Sequence, residues 1–305
     1  MSNLVVDVLA GAVGGGTAIM YAGLGETISE RAGVINLGTE GSMLGGALAA
    51  YAATATSGSP WVGALAGIGA GAALAAVHAV LVIARKANQF ASGLTVMFFA
   101  LGLTSLFGAS YVGRTIHSLN PWKVPGLASI PWVGPILFDH DPLTYLSYFV
   151  APAIWWVLYR SRVGLLVRTA GEHSEVLLVH GYSTSLVRYV SVIAGGGLCG
   201  LGGAQLSIAY SNAWFENMTV GRGFIAVALV IFATWNPLRV MAGSYLFGAA
   251  LALSPALQAR GYGINQFALD AIPFVVTILV LAILGKRTLL AAPDELRRVF
   301  ETRTT

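Results

Sequence analysis

YRSRVGLLVRTAGEHSEVLLVHGYSTSLVRY, residues 159–189, is the longest polar and charged interruption in a chain that is otherwise compatible with a membrane almost throughout. Thr169 and Glu172 have the T-x-x-E spacing of a capping box and predict a helix start, and Gly181 can end that helix with a positive φ. We call residues 160–188 the central polar segment. On pattern alone it is either an ordinary loop between helices or a docking helix for a soluble partner.

Composition sets the class of the protein. Of the 305 residues, 56% are hydrophobic and 10% are charged, which is incompatible with one soluble domain of ordinary surface. The chain is therefore predicted to be an all-α, polytopic membrane protein. Cys199 is the only cysteine, so there is no intrachain disulfide framework and no cysteine-rich metal site. The N-terminus lacks a secretory cleavage pattern, so the first apolar run is predicted to be a retained span.

Hydrophobic runs predict the membrane crossings. At about 20 apolar residues per span, the chain contains about nine predicted transmembrane helices. They are placed at residues 4–24, 34–55, 60–83, 90–112, 143–159, 189–210, 220–235, 238–259 and 265–285.

Basic residues predict the orientation. If the central polar segment is cytoplasmic, 13 of the 17 Lys and Arg residues fall inside, as the positive-inside rule favours. The N-terminus then lies outside, residues 1–285 form the transmembrane domain, and residues 286–305 form a cytoplasmic tail. The basic residues of the amphipathic stretch 294–300 are expected to lie against anionic lipid. The four basic residues placed outside are Arg114, Lys123, Arg222 and Arg260.

Small residues recur every four positions on two of the predicted helices. Such stripes let helices approach closely in lipid, so their default meaning is packing. Close, glycine-lined contacts also allow helices to slide, as a transporter requires. One stripe is Gly63, Gly67 and Gly71, and the other is Gly195, Cys199 and Gly203.

The stretch GLGETISERAGVINLGTEGSMLGG, residues 23–46, is not explained by packing alone. Glu26 and Glu30 are expected at the cytoplasmic face, and Asn36 and Glu40 then enter the next span. Glycines interrupt that span, and a broken helix at membrane depth frees backbone groups that need partners in a protein- or water-lined cavity.

Glu40 is the strongest candidate for a functional residue in a span, because an ionisable side chain there is costly. The alternative is structural: Glu40 reaches back to the inner interface or pairs with Arg31. Asn88 and Gln205 add neutral polar groups to other spans. Few charges with several amide and hydroxyl groups suit a polar, uncharged solute better than an ion.

No catalytic or metal-binding pattern is present. The histidines are scattered without metal-ligand spacing, no G-x-x-x-x-G-K-[ST] loop is present to bind nucleotide, and no basic patch interleaved with aromatics indicates nucleic acid. The chain is predicted to be neither an enzyme nor a cofactor-binding protein. The histidines are His78, His117, His140, His173 and His180.

Five segments carry a resemblance over nearly the whole chain. The chain resembles the membrane subunit of bacterial ABC importers for simple sugars and nucleosides, in the branch related to branched-chain amino acid and ribose permeases. It is most similar to the shorter of two paired nucleoside permeases. The segments are GETISERAGVINLGTEGSML (25–44), NQFASGLTVMFFALGLTSLFG (88–108), RTAGEHSEVLLVHGYSTSLVRY (168–189), GRGFIAVALVIFATWNPL (221–238) and AIPFVVTILVLAI (271–283).

The resemblance implies a permease fold of two halves related by an inverted repeat, with a cytoplasmic coupling helix in the central polar segment. It implies residence in the bacterial inner membrane. The partners would be an ABC ATPase that binds ATP and Mg, a second and longer permease, and an extracytoplasmic substrate-binding lipoprotein. One departure lies at Ser174, where the family usually has Pro after G-E-N.

Residue roles follow from the resemblance and from position. The residues expected to dock the ATPase are Arg168, Gly171, Glu172 and Gly181. The residues expected along the translocation path are Asn36, Glu40, Asn88 and Gln205.

Several alternatives remain open from the sequence. The imported solute is a nucleoside, or a simple sugar such as ribose or galactose. An ion-driven secondary transporter is disfavoured because few ionisable groups lie within the spans. A membrane scaffold without transport is a further alternative. The functional pair is this chain twice or this chain with a longer sister permease, which the resemblance favours.

Overall fold

Helices account for nearly all the regular structure. The computed structural model describes residues 3–262, 265, 268–269, 271–273, 275–279, 282 and 292–301. The helices are α1 (Leu4–Arg31), α2 (Thr39–Ser57), α3 (Pro60–Ala79), α4 (Gln89–Gly108), α5 (Val133–Leu137), α6 (Pro142–Arg160), α7 (Arg162–Glu172), α8 (Ser174–Val179), α9 (Thr184–Gln205), α10 (Arg222–Phe232), α11 (Pro237–Gln258) and the last described helix, α12 (Asp294–Glu301).

Five helices of the described chain are long and apolar enough to cross a membrane. Two of them continue into a π-helical turn, Val80–Ala84 after α3 and Leu206–Tyr210 after α9. One two-stranded antiparallel ribbon, β1 (Trp122–Lys123) with β2 (Asp139–His140), lies in the predicted outer loop. The five spans are Leu4–Arg31, Pro60–Ala84, Gln89–Tyr111, Thr184–Tyr210 and Pro237–Gln258.

The prediction of an all-α membrane protein is confirmed, and eight of the nine predicted spans coincide with helices. The ninth, 265–285, lies largely outside the described residues, as do Lys286, Arg287 and Arg303. The inverted repeat stays a prediction. The expectation of a full span at 220–235 is wrong, because α10 has only 11 residues.

Polar residues at the helix starts explain several boundaries. Ser161, Asp141, Asn88 and Ser183 each accept a hydrogen bond from a backbone N–H in the first turn of the helix that follows. These bonds satisfy donors that have no partner within the helix.

The capping box predicted at Thr169 and Glu172 is wrong. Ser161 caps the start of α7, eight residues before Thr169. Thr169 lies inside that helix, and its hydroxyl donates to Leu165 O at 2.8 Å. Glu172 ends α7, and α8 then begins at Ser174. This is where the resembling family has Pro, a residue suited to the first helical position.

Gly181 has φ +78°, so the predicted left-handed turn after this helix is present. The N–H of Gly181 donates to Leu178 O at 3.0 Å, and that of Tyr182 to Leu177 O at 2.9 Å. The central polar segment is therefore two short helices joined at an angle, with a glycine turn leading into α9.

α9 lies at the centre of the packing, between α1, α2 and α3. A Cβ on Gly200 would overlap with the carbonyl oxygen of Gly67 in α3, and one on Gly203 would overlap with that of Met43 in α2. A Cβ on Gly195 would lie 2.5 Å from the carbonyl oxygen of Gly25 in α1. The predicted packing role of the small residues is confirmed at these contacts.

Candidate functional site

α10 is a half-length helix. Its 11 residues span about 16 Å, roughly half the thickness of a hydrocarbon core of about 30 Å. Its C-terminal end lies beside Arg31, which donates to the carbonyls of Thr234 and Trp235. A helix of this length is too short to cross a membrane by itself, and the irregular residues 211–221 precede it.

The irregular chain before α10 is buried at three positions, whereas others, Glu216 and Asn217 among them, are exposed. Trp214, Met218 and Thr219 are each at most 2% exposed. Non-helical backbone at membrane depth is tolerated where protein covers it or where it lines a cavity. Arg222, predicted outside, is the first residue of α10, and its guanidinium donates to the carbonyls of Met218 and Thr219 at 3.2 Å each.

Glu40 joins the start of α2 to the start of α10. Its Oε1 accepts from the hydroxyl of Thr219 (2.6 Å) and from the N–H of Gly221 (2.8 Å), and its Oε2 accepts from the N–H of Gly223 (2.5 Å). Glu40 is also in the first turn of α2. Its negative charge thus lies at the positive ends of two helix dipoles, which stabilise the carboxylate inside the protein.

Both structural alternatives offered for Glu40 are wrong. The side chain does not reach the inner interface, since Glu40 is 6% exposed. Arg31 pairs instead with Glu172, at 3.7 Å.

A cavity of about 250 Å³ opens beside Glu40, between α2, α4 and α10. We call it the Glu40 cavity. Glu40 and Asn217 supply its polar side chains, and the backbone of Gly221 enters at its wall. The other lining residues are Gly41, Leu44, Met97, Leu101 and Phe224.

Asn36 is placed close to Glu40 but has a different role. It is 2% exposed, its N–H donates to Glu26 Oε1 (2.7 Å), and its side-chain oxygen accepts from the N–H of Gly38 (2.9 Å). The hydroxyl of Thr39 donates to Glu26 Oε2 at 3.0 Å. Asn36 thus shapes the turn that delivers Glu40 to its position.

The other two predicted path residues lie elsewhere. Asn88 is exposed and caps α4, accepting from the N–H groups of Phe90 and Ala91. Gln205 is fully buried and donates to Gly14 O (3.3 Å) and to Asp141 Oδ2 (3.4 Å), near the start of α6. The four predicted residues therefore do not form one site, and their roles in translocation stay predictions.

Sequence reasoning placed Glu26 and Glu30 at the cytoplasmic face, but α1 continues to Arg31 and buries both carboxyl groups. Glu30 Oε2 accepts a hydrogen bond from the indole N–H of Trp235. His78 was also given no role. It is fully buried, and its ring nitrogens each lie 3.0 Å from a partner, Ser92 Oγ and Ile35 O.

Local sequence does not indicate the burial of Glu30, because its partner Trp235 is 205 residues away, whereas the Glu26 partners Asn36 and Thr39 are 10 and 13 residues away. The four-residue spacing of the two glutamates was the available signal, since it places both on one helix face.

Most of the predicted docking residues face the transmembrane domain. Gly171 is buried against the Arg31 carbonyl, and Glu172 pairs with Arg31. The Arg168 guanidinium lies 5.4 Å from the centre of the Tyr159 ring. Of the four, Gly181 is exposed.

Part of the exposed surface of the central polar segment is apolar. Val179 is 84% exposed and Leu178 is 63% exposed, whereas the preceding residue, Leu177, is buried. Val176 and Tyr182 extend the same surface. We call Val176, Leu178, Val179 and Tyr182 the apolar tip.

The tail packs against protein where it is described. Glu295 of α12 pairs with Arg188 at 3.5 Å and accepts from the Ser174 hydroxyl at 2.9 Å. Leu296 is fully buried, and Arg297 lies 3.4 Å from Asp294. That the basic residues of this helix lie against anionic lipid stays a prediction. α12 packs against one side of the central polar segment.

Residues 9–284 match a family whose sequence model is described as the permease component of the branched-chain amino acid transport system. A protein of Haloferax volcanii named "Putative glucose ABC transporter permease protein" is 44% identical over 88% of this chain and 81% of its own length.

Two further relatives are nucleoside permeases by name. A nucleoside ABC transporter permease protein of Lactococcus lactis is 33% identical over 88% of this chain and 90% of its own. A guanosine ABC transporter permease protein of Bacillus subtilis is 30% identical over 86% of this chain and 87% of its own. No solved structure matches the chain at a significant level.

Proposed function

Because the chain belongs to the family of branched-chain amino acid transport system permease components, we propose that it forms the translocation pathway of an importer for nucleosides. The chain is a multi-pass membrane subunit of an ABC transporter, and permease subunits of this kind are not catalytic. An ATPase subunit, which hydrolyses ATP, and a substrate-binding protein belong to such a transporter.

The main observation in support of a translocation pathway is that the starts of α2 and α10 meet at Glu40. Two helix starts that meet beside a cavity of about 250 Å³ match the arrangement by which transporters hold solutes between helices. Both oxygens of Glu40 already accept hydrogen bonds, from three donors in all, so this carboxylate serves to fix the cavity wall more than to attract a cation. The other lining groups of the Glu40 cavity are uncharged and suit a neutral solute.

Nucleosides are the first candidate because two relatives that carry nucleoside names align along most of their length. Glucose is the second candidate, favoured by the relative that is 44% identical. Both solutes present several sugar hydroxyl groups and no charge, so one pathway chemistry accommodates either. Ribose and galactose are further candidate sugars, and the uptake experiment below includes them.

The deciding experiment is uptake of labelled guanosine, uridine, glucose, ribose and galactose by cells that hold the chain with its ATPase, second permease and binding protein. A strain that lacks only this chain is the control. Nucleoside uptake that disappears with the chain and is competed by other nucleosides but not by sugars supports the proposal. Uptake competed only by sugars establishes the second candidate, and uptake that persists without the ATPase contradicts an ATP-driven importer.

We further propose that the central polar segment docks the ATPase through the apolar tip, supported from behind by Gly171 and Glu172. Exposed apolar side chains on a polar face mark a contact with another protein. The proposed assembly also contains a second permease subunit, for which a longer sister permease is the first candidate. The assembly lies in the plasma membrane.

Val179→Glu tests the docking surface. A charge buried in the contact with no partner weakens binding by several kcal/mol, so we expect the ATPase no longer to co-purify. Val179→Ala, which removes two methyl groups at an 84% exposed position, is the matched control and should retain most binding. Equal ATPase recovery with both variants would exclude the apolar tip as the docking surface.

A further inference from the structure

Arg31, the last residue of α1, contacts three other elements with one guanidinium group. Its Nε donates to Trp235 O (3.2 Å) and its Nη2 to Thr234 O (3.3 Å), just after the end of α10. Nη2 also donates to the hydroxyl of Tyr159 in α6 (3.0 Å), and Nη1 lies 3.7 Å from Glu172 Oε1 in α7. The planar, multi-donor guanidinium allows these contacts at once, which a lysine ammonium could not reproduce.

The neighbouring residue holds the same end of α10. The indole N–H of Trp235 donates to Glu30 Oε2, and both residues are 2% exposed. Tyr159 also contacts the end of α10, because its hydroxyl donates to Trp235 O at 3.3 Å. The end of α10 is thus attached to the same residues that receive the central polar segment.

The opposite end of α10 is attached to Glu40, through the N–H groups of Gly221 and Gly223. Between the two attachments, the residues after Gly223 include no glycine or proline. A regular helix of this length moves as a unit, because its backbone hydrogen bonds are internal. A displacement at Trp235 therefore reaches the wall of the Glu40 cavity.

Both ends of α10 are bounded by non-glycine residues in left-handed conformations. Val220 has φ +47°, Thr234 has φ +51°, and Trp235 has φ +54°. Such conformations are energetically unfavourable for non-glycine residues and cluster at functional sites and switch regions. These positions can act as hinges that relax when α10 shifts.

We propose that Arg31 is a positioning residue that links the central polar segment to α10, and that α10 carries the state of that segment to the Glu40 cavity. This inference rests on the proposed function, in which a partner ATPase acts on the segment. It adds a physical route in two steps. Glu172 in α7 pairs with Arg31, which holds the carbonyls of Thr234 and Trp235 after the end of α10. At its other end, α10 presents the N–H groups of Gly221 and Gly223 to Glu40.

The test uses Arg31→Gln in the complex with the ATPase, second permease and binding protein, reconstituted in liposomes. Arg31→Gln removes the charge-assisted hydrogen bonds to the end of α10 and to Glu172, so we expect solute uptake per ATP hydrolysed to fall about tenfold or more. ATPase co-purification should be retained, because the apolar tip is unchanged. Arg85→Gln, at an exposed arginine on the same predicted side of the membrane, is the matched control and should transport normally.

A second readout follows the cavity wall itself. Asn217→Cys places a thiol in the lining of the Glu40 cavity, and the native Cys199 is 1% exposed and contributes little background. With Arg31 intact, the rate of maleimide labelling at 217 should change when ATP and vanadate are added. With Arg31→Gln, that ATP-dependent change should disappear.

Glu172→Gln is the second variant, in case Arg31→Gln does not assemble. Glu172 is 38% exposed, so its replacement disturbs packing little, yet it removes the ion pair to Arg31. It should reduce the ATP-dependent labelling change in the same direction.

Unchanged uptake per ATP and unchanged labelling in both variants would overturn the inference. Loss of ATPase binding in Glu172→Gln would also overturn it, since the residue would then act in assembly. If the wild-type complex itself shows no ATP-dependent uptake of any nucleoside or sugar, the proposed function fails before the variants are compared.

Discussion

At the scale of single residues, Glu40 shows how a buried carboxylate is held inside a membrane protein. Three donors satisfy its oxygens, and two of them are backbone N–H groups at the start of α10. A helix start leaves such groups without partners in its own backbone. One side chain therefore satisfies α10 and fixes its distance from α2.

Glu40→Gln is predicted to destabilise this junction. The amide group of glutamine cannot accept at both former oxygen positions, so at least one charge-assisted hydrogen bond is lost, at about 1.5–3 kcal/mol. We expect a lower Tm in detergent and reduced uptake, with the ATPase still bound. The exposed Glu216 on the preceding irregular chain offers the control, Glu216→Gln, which should behave as wild type. Normal uptake by Glu40→Gln would leave Glu40 with a structural role alone.

At the scale of elements, α9 and α3 approach so closely at Gly200 and Gly71 that no side chain fits at these two positions. Cβ atoms on Gly200 or Gly71 would overlap with backbone atoms of the facing helix. In lipid, where apolar side chains gain little by leaving the solvent, this close backbone contact supplies much of the attraction between helices.

Gly200→Ala and Gly69→Ala form a matched pair of tests. The new methyl group at Gly200 forces the two helices apart, and overpacking of this kind costs about 1–3 kcal/mol or more. At Gly69 no atom lies within 4 Å of the added Cβ, and alanine favours the helix by up to about 1 kcal/mol. Thermal unfolding in detergent should show a lower Tm for Gly200→Ala and an equal or higher one for Gly69→Ala. Equal losses in both variants would contradict the packing account.

At the scale of the whole molecule, the helices connect two polar regions on opposite sides of the predicted membrane. The central polar segment and α12 lie on one side, and the ribbon of β1 and β2 lies on the other. The positive-inside rule assigns the first side to the cytoplasm. The contacts of Arg31 and Glu40 hold the two ends of α10.

Thiol labelling tests the orientation. Val179→Cys and Leu127→Cys place single exposed thiols at the central polar segment and in the predicted outer loop, at positions that are 84% and 42% exposed. In intact cells a membrane-impermeant maleimide should label position 127 and leave 179 unlabelled until the membrane is opened. The reverse pattern would invert the whole topology.

The sequence by itself determined the class of fold, eight of the helix positions and the packing role of the glycines, because these depend on local hydrophobicity and on side-chain size. It also singled out Glu40 from the cost of an ionisable group in a span. It could not determine that α10 has only 11 residues, because the hydrophobicity of residues 220–235 is the same whether or not all of them are helical.

The tertiary structure alone decided which charges meet. Arg31 contacts Glu172 and the end of α10, Glu26 accepts from the backbone of Asn36, and three of the four predicted docking residues, Arg168, Gly171 and Glu172, face the transmembrane domain. These partners are separated by tens to hundreds of residues, and burial between them depends on how helices pack. Hydrogen-bond partners of buried polar groups are chosen by that packing, which no local pattern in the chain encodes.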